Sequence, residues 1–443
     1  VLVEPSSCLS CILFMNQAMQ GLLDTLQQSE KNPFEQHIKN QKKRLYQLIQ
    51  HAVETTDLYQ AYDKQADISD LPILSRAVLQ ASYEASISRE IPASHGETYP
   101  MHTSGSTGET VRILGTGFTR LFYDALMLRD HLWHARDLTQ KLLAIRWVDS
   151  HVAQPPAGQY QATWGPPIDL YQATGPSVSI NVTSSTEQQV EALIHHKPYY
   201  LSTYPSQVVA LAKYCLAHNI SLPDLYEIRT IGETLTAKQI QQIKAIWPQV
   251  KITDIYSCVE IGSIAQQCPA HQNYHVNVEH VYLEIVDELG RPCGIGEPGR
   301  VLVSSLMNYA TPLIRYELGD YASWGEPCAC GRSLPVLQRI LGRKRNRLRL
   351  PNGESRFPYT GEYRDLYEIA PIRIQKFQFV QHTLDEIEIK VVTPDSITPT
   401  QMLEVKAFYK KTFGMHFNIR ITYQDEILPG PTGKFEEFVS WVQ

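Results

Sequence analysis

The sequence predicts an α/β chain: a large N-terminal domain built on doubly wound sheets with a β-rich subdomain, then a small, mobile α+β C-terminal domain. Three observations carry this expectation. Helix and strand patterns alternate between about residues 188 and 255, short strands broken by Gly and Pro take over after Cys268, and the pattern shifts again at Gly342. At 443 residues the chain also exceeds one ordinary hydrophobic core, so more than one folding unit is expected.

Residues 17–84 read mainly as helix, with polar faces rich in Gln, Lys and Glu. Further on, 188–194 reads as a helix and 199–203 as a short strand. Pro205 suits the first position of the next helix, where its missing N–H costs nothing. Val208, Val209, Leu211, Ala212 and Cys215 form that helix's inward side. A strand at 228–231 follows, then a helix capped by Thr236 with Ile240, Ile243 and Trp247 facing in, ended by Pro248. The strand at 250–255 completes the alternation. Such alternation implies parallel pairing, and ligands of parallel sheets bind beyond the C-terminal strand ends. Three loops leave such ends, at 204–206, 232–234 and 256–262, so their polar residues should converge.

Strands at 281–286 and 299–304 represent the Gly- and Pro-broken region. Beyond Gly342 come strands at 376–380 and 386–392, a helix at 400–412, a strand at 418–423 and a terminal Gly/Pro loop. The expected division is therefore 1–341 and 342–443, with residues 1–14 open to reading as a non-native leader before Met15.

Composition narrows the function. Net charge is −6, with no basic block beyond the short run at 343–349, which argues against nucleic acid as a partner. No apolar run approaches the roughly 20 residues of a membrane span. The apolar stretch from Cys8 to Phe14 is short and no Lys or Arg precedes it, which makes a poor signal peptide. Eight cysteines in a chain of this length do not form a disulfide framework, and a reducing, cytoplasmic home is expected.

The first chemical signal is Thr103-Ser104-Gly105-Ser106-Thr107-Gly108. Hydroxyls and bare backbone N–H groups at this density suit oxyanions. A polar turn is the bland alternative, and a P-loop the sharper rival. The P-loop fails because no Lys follows Gly108 and because a strand pattern at 111–114 follows where a helix is required. The loop reads instead as a hairpin connection.

This loop resembles the phosphate-binding loop of the adenylate-forming superfamily, which contains acyl-coenzyme A synthetases, adenylation domains and luciferases. Further segments resemble that family's motifs in the same order. Gly232-Glu233 resembles the adenine-side loop. Tyr256-Ser257-Cys258-Val259-Glu260 resembles the segment whose aromatic ring packs on adenine and whose Glu holds magnesium. The run 315–320 resembles the segment whose Asp, here Asp320, binds the ribose hydroxyls. Gly342-Arg343 resembles the start of the hinge, with an Arg near ribose and phosphate, and Pro431-Thr432-Gly433-Lys434 resembles the terminal loop with the catalytic Lys. The resemblance implies ATP and Mg²⁺ as cofactors, Glu260 and Lys434 as catalytic groups, and a C-terminal domain that moves as a lid. Joining a carboxylate to ATP brings an anion onto a polyanion, so positive charge must be supplied where negative charge builds. Asp320 suits a ribose diol because a carboxylate accepts two hydrogen bonds. Two positions depart from the pattern: Glu317-Leu318 replaces a frequent Arg-Thr, and the hinge residue, usually Asp or Lys, is Arg345 followed by Asn346.

Cys268, His275, Cys328 and Cys330 form a second constellation, with His271 competing for the fourth place. Four soft or borderline ligands in two short loops suit structural, tetrahedral Zn²⁺ and leave no open position for catalysis. Unrelated free thiols are the bland alternative. The series ending in Gly331-Arg332 and followed by Gly342-Arg343 resembles the phenylacetate–coenzyme A ligase branch, several of whose members carry such a cluster. That branch implies an aromatic or aryl-acetic acid, with Trp164, Tyr200 and Tyr204 as candidate pocket walls, although aromatics in sheet regions more often serve the core.

The implied function is ATP-dependent activation of a small carboxylic acid as acyl-AMP, then transfer to a thiol. The acceptor is coenzyme A or the phosphopantetheine of a separate acyl carrier protein, with an amine as a further possibility. An adenylyltransferase using the same ATP residues without a thiol is one rival. An idle scaffold homologue is another, against which Lys434 and Glu260 together weigh. The oligomeric state stays open, a dimer being compatible.

Overall fold

The computed structural model describes residues 9–103, 110–148, 151–166, 168–360, 374–430 and 433–442. The chain forms two compact units. The first comprises Val1–Leu235, Gln239–Leu318 and Ala322–Ile340; the second comprises Leu341–Gln443 with Thr236–Lys238 and Gly319–Tyr321.

The first unit opens with helices α1 (Leu9–Ser29), α2 (Phe34–Thr55), α3 (Arg76–Ala81) and α4 (Tyr83–Ser86). An antiparallel hairpin of β1 (Thr98–His102) and β2 (Arg112–Thr116) follows, then α5 (Gly117–Trp133). The hydroxyl-rich loop joins these two strands, with His102 opposite Arg112 at its base. Thr116 starts α5 because its hydroxyl accepts from the Thr119 N–H while the Thr119 hydroxyl accepts from the Thr116 N–H.

Next come β3 (Leu142–Arg146), β4 (Gln159–Gln161), β5 (Ser177–Asn181), α6 (Thr186–His196), β6 (Tyr200–Thr203), α7 (Pro205–Ala217), β7 (Glu227–Ile231), α8 (Ala237–Ile246) and β8 (Lys251–Cys258). Pro205 occupies the first turn of α7, and Ser185 with Gln188 forms a reciprocal cap on α6. Strands β8, β7, β6, β3 and β5 pair parallel in that spatial order.

The remaining strands of this region are β9 (Gly262–Gln267), β10 (Tyr274–Val276), β11 (Val281–Val286), β12 (Gly299–Ser305), β13 (Tyr316–Trp324) and β14 (Val336–Arg343). They do not form a detached sheet. Among the described residues one 12-stranded sheet runs β11-β12-β13-β14-β10-β9-β8-β7-β6-β3-β5-β4. The cause is local: Gly262, at φ +90°, lets the chain turn tightly after β8 so that β9 returns antiparallel against it. The parallel and antiparallel halves therefore share one hydrogen-bonded surface.

Helices cover both faces of the parallel half, as double winding requires. On one face Ile145, Val178, Leu201 and Ile228 pack with Leu193, Val208, Leu211 and Ile243 of α6, α7 and α8. On the other, Ile255 of β8 packs in a cluster with Leu26, Leu48, Phe122 and Leu126 of α1, α2 and α5. Each such side chain, fully buried, contributes roughly 1.5–3 kcal/mol. These clusters fix the strand ends from which the site loops leave.

The second unit contains β15 (Leu348–Arg349), β16 (Ser355–Arg356), β17 (Lys376–Gln381), β18 (Glu386–Val392), α9 (Pro399–Phe413), β19 (Asn418–Tyr423) and β20 (Phe438–Ser440). Its four-stranded sheet has the order β19-β18-β17-β20. Phe377, Phe379, Ile387 and Ile389 pack against Tyr409 and Phe413 of α9. The sequence pattern foresees β17, β18, α9 and β19. Strand β20 is only three residues long, too short to show a period, and is held by parallel pairing to β17.

Candidate functional site

The loops after β6, β7 and β8 leave the same edge of the parallel sheet. Two of them are tied directly. The Glu233 carboxylate accepts the Ser206 N–H and the Ser206 hydroxyl, both at 3.0 Å. One side chain thus satisfies an otherwise unpaired donor at the start of α7 and fixes the β7 loop to the β6 loop. Gly232, at φ +75°, takes a backbone shape that a side chain would strain.

At the end of β8 the register shifts between Tyr256 and Ser257, an irregularity that re-aims the residues after it. Tyr256 is a core residue, 7% exposed and in the same buried cluster as Ile264 and Tyr316, and Ser257 is half-buried. Glu260, four residues on, is buried but not alone. The Tyr316 hydroxyl donates to its Oε1 at 3.1 Å, and Arg76 Nη1 lies 3.3 Å from the same oxygen. Burial, and then the Glu260 charge, push the Tyr316 phenol far above its ordinary range, so it remains a donor. The second arm of Arg76 donates to Thr103 Oγ1 at 2.9 Å, and that oxygen also accepts the Val111 N–H at 2.9 Å.

Thr103 opens the hydroxyl-rich loop, so Arg76 and Glu260 stand at its base. Ser104, Gly105, Ser106, Thr107 and Gly108 lie outside the described residues. Neither Arg76 nor the Tyr316 contact is legible in the sequence. Arg76 is a lone basic residue 184 positions before its carboxylate, with no motif around it.

Asp320 lies in β13 and Arg343 at the end of β14, with Arg343 Nε 3.5 Å from Asp320 Oδ1. Glu317, where the resembling family often has Arg, pairs with Arg300 at 3.0 Å. Arg345 forms a two-pronged bond to Glu436, at 2.8 and 2.7 Å. Asn346 donates to the same carboxylate and to the Phe438 carbonyl. The expected hinge residue therefore has its side chain anchored within the small unit. Lys434 is half-buried in a loop closed by two backbone bonds of 2.8 Å, from the Gly430 N–H to the Lys434 carbonyl and from the Gly433 N–H to the Gly430 carbonyl. Pro431 and Thr432, of the same motif, lie outside the described residues.

The aromatic candidates separate. Tyr200 begins β6, opposite Leu142 and Glu227 at the N-terminal ends of their strands. Trp164 packs edge-on against it at 5.5 Å. Both therefore sit at the edge of the sheet away from the site loops and serve packing. Tyr204 follows the C-terminal end of β6, the end from which the site loops leave, and is 8% exposed within the cluster of Val208 and Leu211.

The cysteine/histidine group is brought together by sheet order. Strand β10, carrying His275, lies between β9, which leads into Cys268, and β14, preceded by Cys328 and Cys330. The ligand atoms of Cys268, His275, Cys328 and Cys330 all fall within 4.8 Å of one another. Cys268 and Cys328 sulfurs are 3.7 Å apart, and Cys330 Sγ is 3.3 Å from His275 Nε2. A tetrahedral zinc with about 2.3 Å sulfur bonds has ligand-to-ligand edges of about 3.8 Å, so the donors fit that ion. Burial, followed by the nearby Arg332 charge, lowers His275 to about 4, keeping the imidazole neutral as a ligand must be. His271 is exposed and outside the group.

This knuckle holds more than itself. Arg332 binds Glu30 at 3.1 Å, the Ser333 hydroxyl donates to the Glu30 carbonyl, and the Trp133 indole donates to the Glu30 carboxylate at 2.7 Å. Trp133 also meets His275 edge-on at 5.6 Å. The loop after α1 is thus fastened to the knuckle.

Comparison with known proteins accords with this geometry. The model of the CapK C-terminal domain matches residues 360–440. Phenylacetate-coenzyme A ligase of Thermus thermophilus is 30% identical over 215 residues, which is 46% of this chain and 48% of that protein. The matched region thus spans about half the length of that relative. Among solved structures, 2-hydroxyisobutyryl-CoA ligase in complex with 2-HIB-AMP superposes with a TM-score of 0.69 at 17% identity, covering 93% of this chain and 91% of that one. Anthranilate CoA ligase AuaEII with anthranoyl-AMP gives a TM-score of 0.53 at 15% identity, covering 76% and 65%. The chain therefore shares its fold with these two ligases.

Proposed function

We propose that this chain activates a carboxylic acid with ATP and transfers the acyl group to the thiol of coenzyme A. The observation that carries the reading is the junction of Glu260, Arg76 and Thr103: a buried carboxylate beside the base of a hydroxyl-rich loop, at the ligand-binding edge of a parallel sheet. The three comparison ligases act on phenylacetate, 2-hydroxyisobutyrate and anthranilate, and two carry acyl-adenylates.

In the first step a carboxylate oxygen of the acid attacks the α-phosphorus, the bond to the bridging oxygen of the β-phosphate breaks, and pyrophosphate leaves. In the second, the thiolate sulfur attacks the acyl carbon, AMP leaves, and the thiol proton goes to solvent. Glu260 is the residue suited to hold Mg²⁺, which would neutralise charge on the phosphates. Thr103, tied to Arg76 at the base of the hydroxyl-rich loop, stands on the side taken by those phosphates. Glu233, braced by Ser206, shapes the adenine side with Gly232, Tyr256 and Ser257. Asp320 takes the ribose hydroxyls, with Arg343 beside it. Lys434 supplies positive charge to the first step from the small unit, which acts as a lid. The Cys268–His275–Cys328–Cys330 group holds a structural zinc. No described helix is long and apolar enough to cross a membrane; a cytoplasmic setting is part of this proposal.

The acid is aromatic or aryl-acetic, a reading supported by the sequence relative and by Tyr204 at the C-terminal end of β6. Acid-dependent pyrophosphate release should favour phenylacetate or benzoate over acetate by about tenfold or more in kcat/KM, the scale of discrimination that apolar pocket contacts provide. A preference for acetate or for a long-chain fatty acid would overturn the choice of acid.

A further inference from the structure

Arg76 has no part in the family resemblance, yet its two arms end on two of the site's central groups. Nη1 lies 3.3 Å from Glu260 Oε1 and Nη2 donates to Thr103 Oγ1. The Glu260 side chain is 7% exposed and that of Arg76 36%, so the cation is the accessible partner and the carboxylate the enclosed one. A carboxylate enclosed to this degree needs a compensating cation, and the Tyr316 hydroxyl supplies a hydrogen bond but no charge. The guanidinium fork is suited to this double engagement, because its donors are fixed in one plane.

We propose that Arg76 is a positioning residue that stands in for the divalent cation, a role that rests on the reading of Glu260 as the magnesium carboxylate. Without nucleotide it holds Glu260 and keeps free metal away. A metal ion and a guanidinium cannot both sit against one carboxylate oxygen without strong like-charge repulsion. The exchange therefore becomes favourable only when a polyphosphate enters with the metal and offers Arg76 new negative charge. The bond to Thr103 keeps the guanidinium at the base of the phosphate loop, where that charge arrives. Metal thus enters as its nucleotide complex and not beforehand.

The test is titration of the whole chain, zinc-loaded, with Mn²⁺ alone, reading free Mn²⁺ by electron paramagnetic resonance. The nucleotide-free wild type should bind Mn²⁺ weakly. Arg76→Gln should bind it about tenfold or more tighter, the scale expected for removing one adjacent, partly screened charge. The gain should vanish in Arg76→Gln/Glu260→Gln, which places the ion on Glu260. Equal Mn²⁺ affinity in wild type and Arg76→Gln would overturn the role. Tight binding at Glu260 in the nucleotide-free wild type would do so as well, whether or not the variant folds. Acid-dependent ATP–pyrophosphate exchange by the wild type separates the two failures: exchange with unchanged Mn²⁺ affinity defeats the role of Arg76 alone, whereas absent exchange defeats the adenylation reading beneath it.

Discussion

Replacing Lys434 by Ala should slow adenylate formation by about 100-fold or more, while leaving the thiol step near its normal rate. The size follows from electrostatics: removing one well-placed group at developing charge costs on the order of 100- to 1,000-fold. The asymmetry follows from timing. Negative charge accumulates around the α-phosphate only while the acid attacks and pyrophosphate departs. Once the adenylate exists, the thiolate meets a carbonyl carbon, and a cation at the phosphates contributes little to that barrier. The position of Lys434 is suited to such a part-time role. It sits in a tight loop whose ends are joined by the bonds between Gly430 and Lys434 and between Gly433 and Gly430. It also belongs to a separate unit from Glu260. The two half-reactions are measured separately on one mutant, the first by pyrophosphate release and the second from ready-made acyl-adenylate and coenzyme A. Equal losses in both would indicate damage to the fold and not loss of a catalytic charge. An unaffected first half would remove Lys434 from the mechanism.

The second large effect concerns the cysteine/histidine knuckle. The protein, kept reduced and free of chelator, should carry about one equivalent of zinc, and Cys330→Ser should lower stability by about 4 kcal/mol or more, as losses of structural metals do. The expected damage is local first. With the metal gone, Cys268, Cys328 and Cys330 are thiols around a buried imidazole, and the loop at 328–333 exchanges metal bonds for weak sulfur contacts to Asn273 and His275. Arg332 and Ser333 then release Glu30, so the turn after α1 should lose hydrogen-exchange protection before the parallel sheet does. ATP affinity should change far less than stability, because none of the four ligands touches Glu260, Thr103 or Glu233 in the contacts described above. Zinc-free protein of wild-type stability would defeat this assignment.

Much of the architecture was legible because its signals are local. Pro205 marks the start of α7 through its missing N–H, the Val208–Cys215 stripe marks its buried face, and the change to short strands after Cys268 marks the antiparallel half. Less legible was anything set by pairing across distance. The alternation at 188–255 does not disclose that β9 to β14 extend the same sheet, because that depends on the turn at Gly262. Strand β20 acquires its structure from β17 rather than from its own three residues. Trp164 and Tyr200 illustrate the same limit: residue type allows both a pocket wall and a core role, and the strand register shows that Tyr200 stands at the N-terminal end of β6.

The site divides along the same line. Motifs of consecutive residues, such as Tyr256–Glu260 or Gly232-Glu233, can be read directly from the chain. Arg76, which links Glu260 to Thr103, lies 184 and 27 residues from them and becomes visible only when α3 is set beside the β1–β2 hairpin. The cysteine/histidine group lies between these cases. The residue types suggest a metal, while the choice of His275 over His271 needs the sheet order that places β10 between β9 and β14.

The most direct test of the central claim is to incubate the protein with ATP, Mg²⁺ and phenylacetate, with and without coenzyme A, and to identify the products by mass spectrometry. The expected result is phenylacetyl-AMP and pyrophosphate without the thiol, and phenylacetyl-coenzyme A with AMP and pyrophosphate in equal amounts when it is present. Formation of ADP and phosphate, or no acid-dependent pyrophosphate with phenylacetate or with any other acid supplied in its place, would contradict the mechanism.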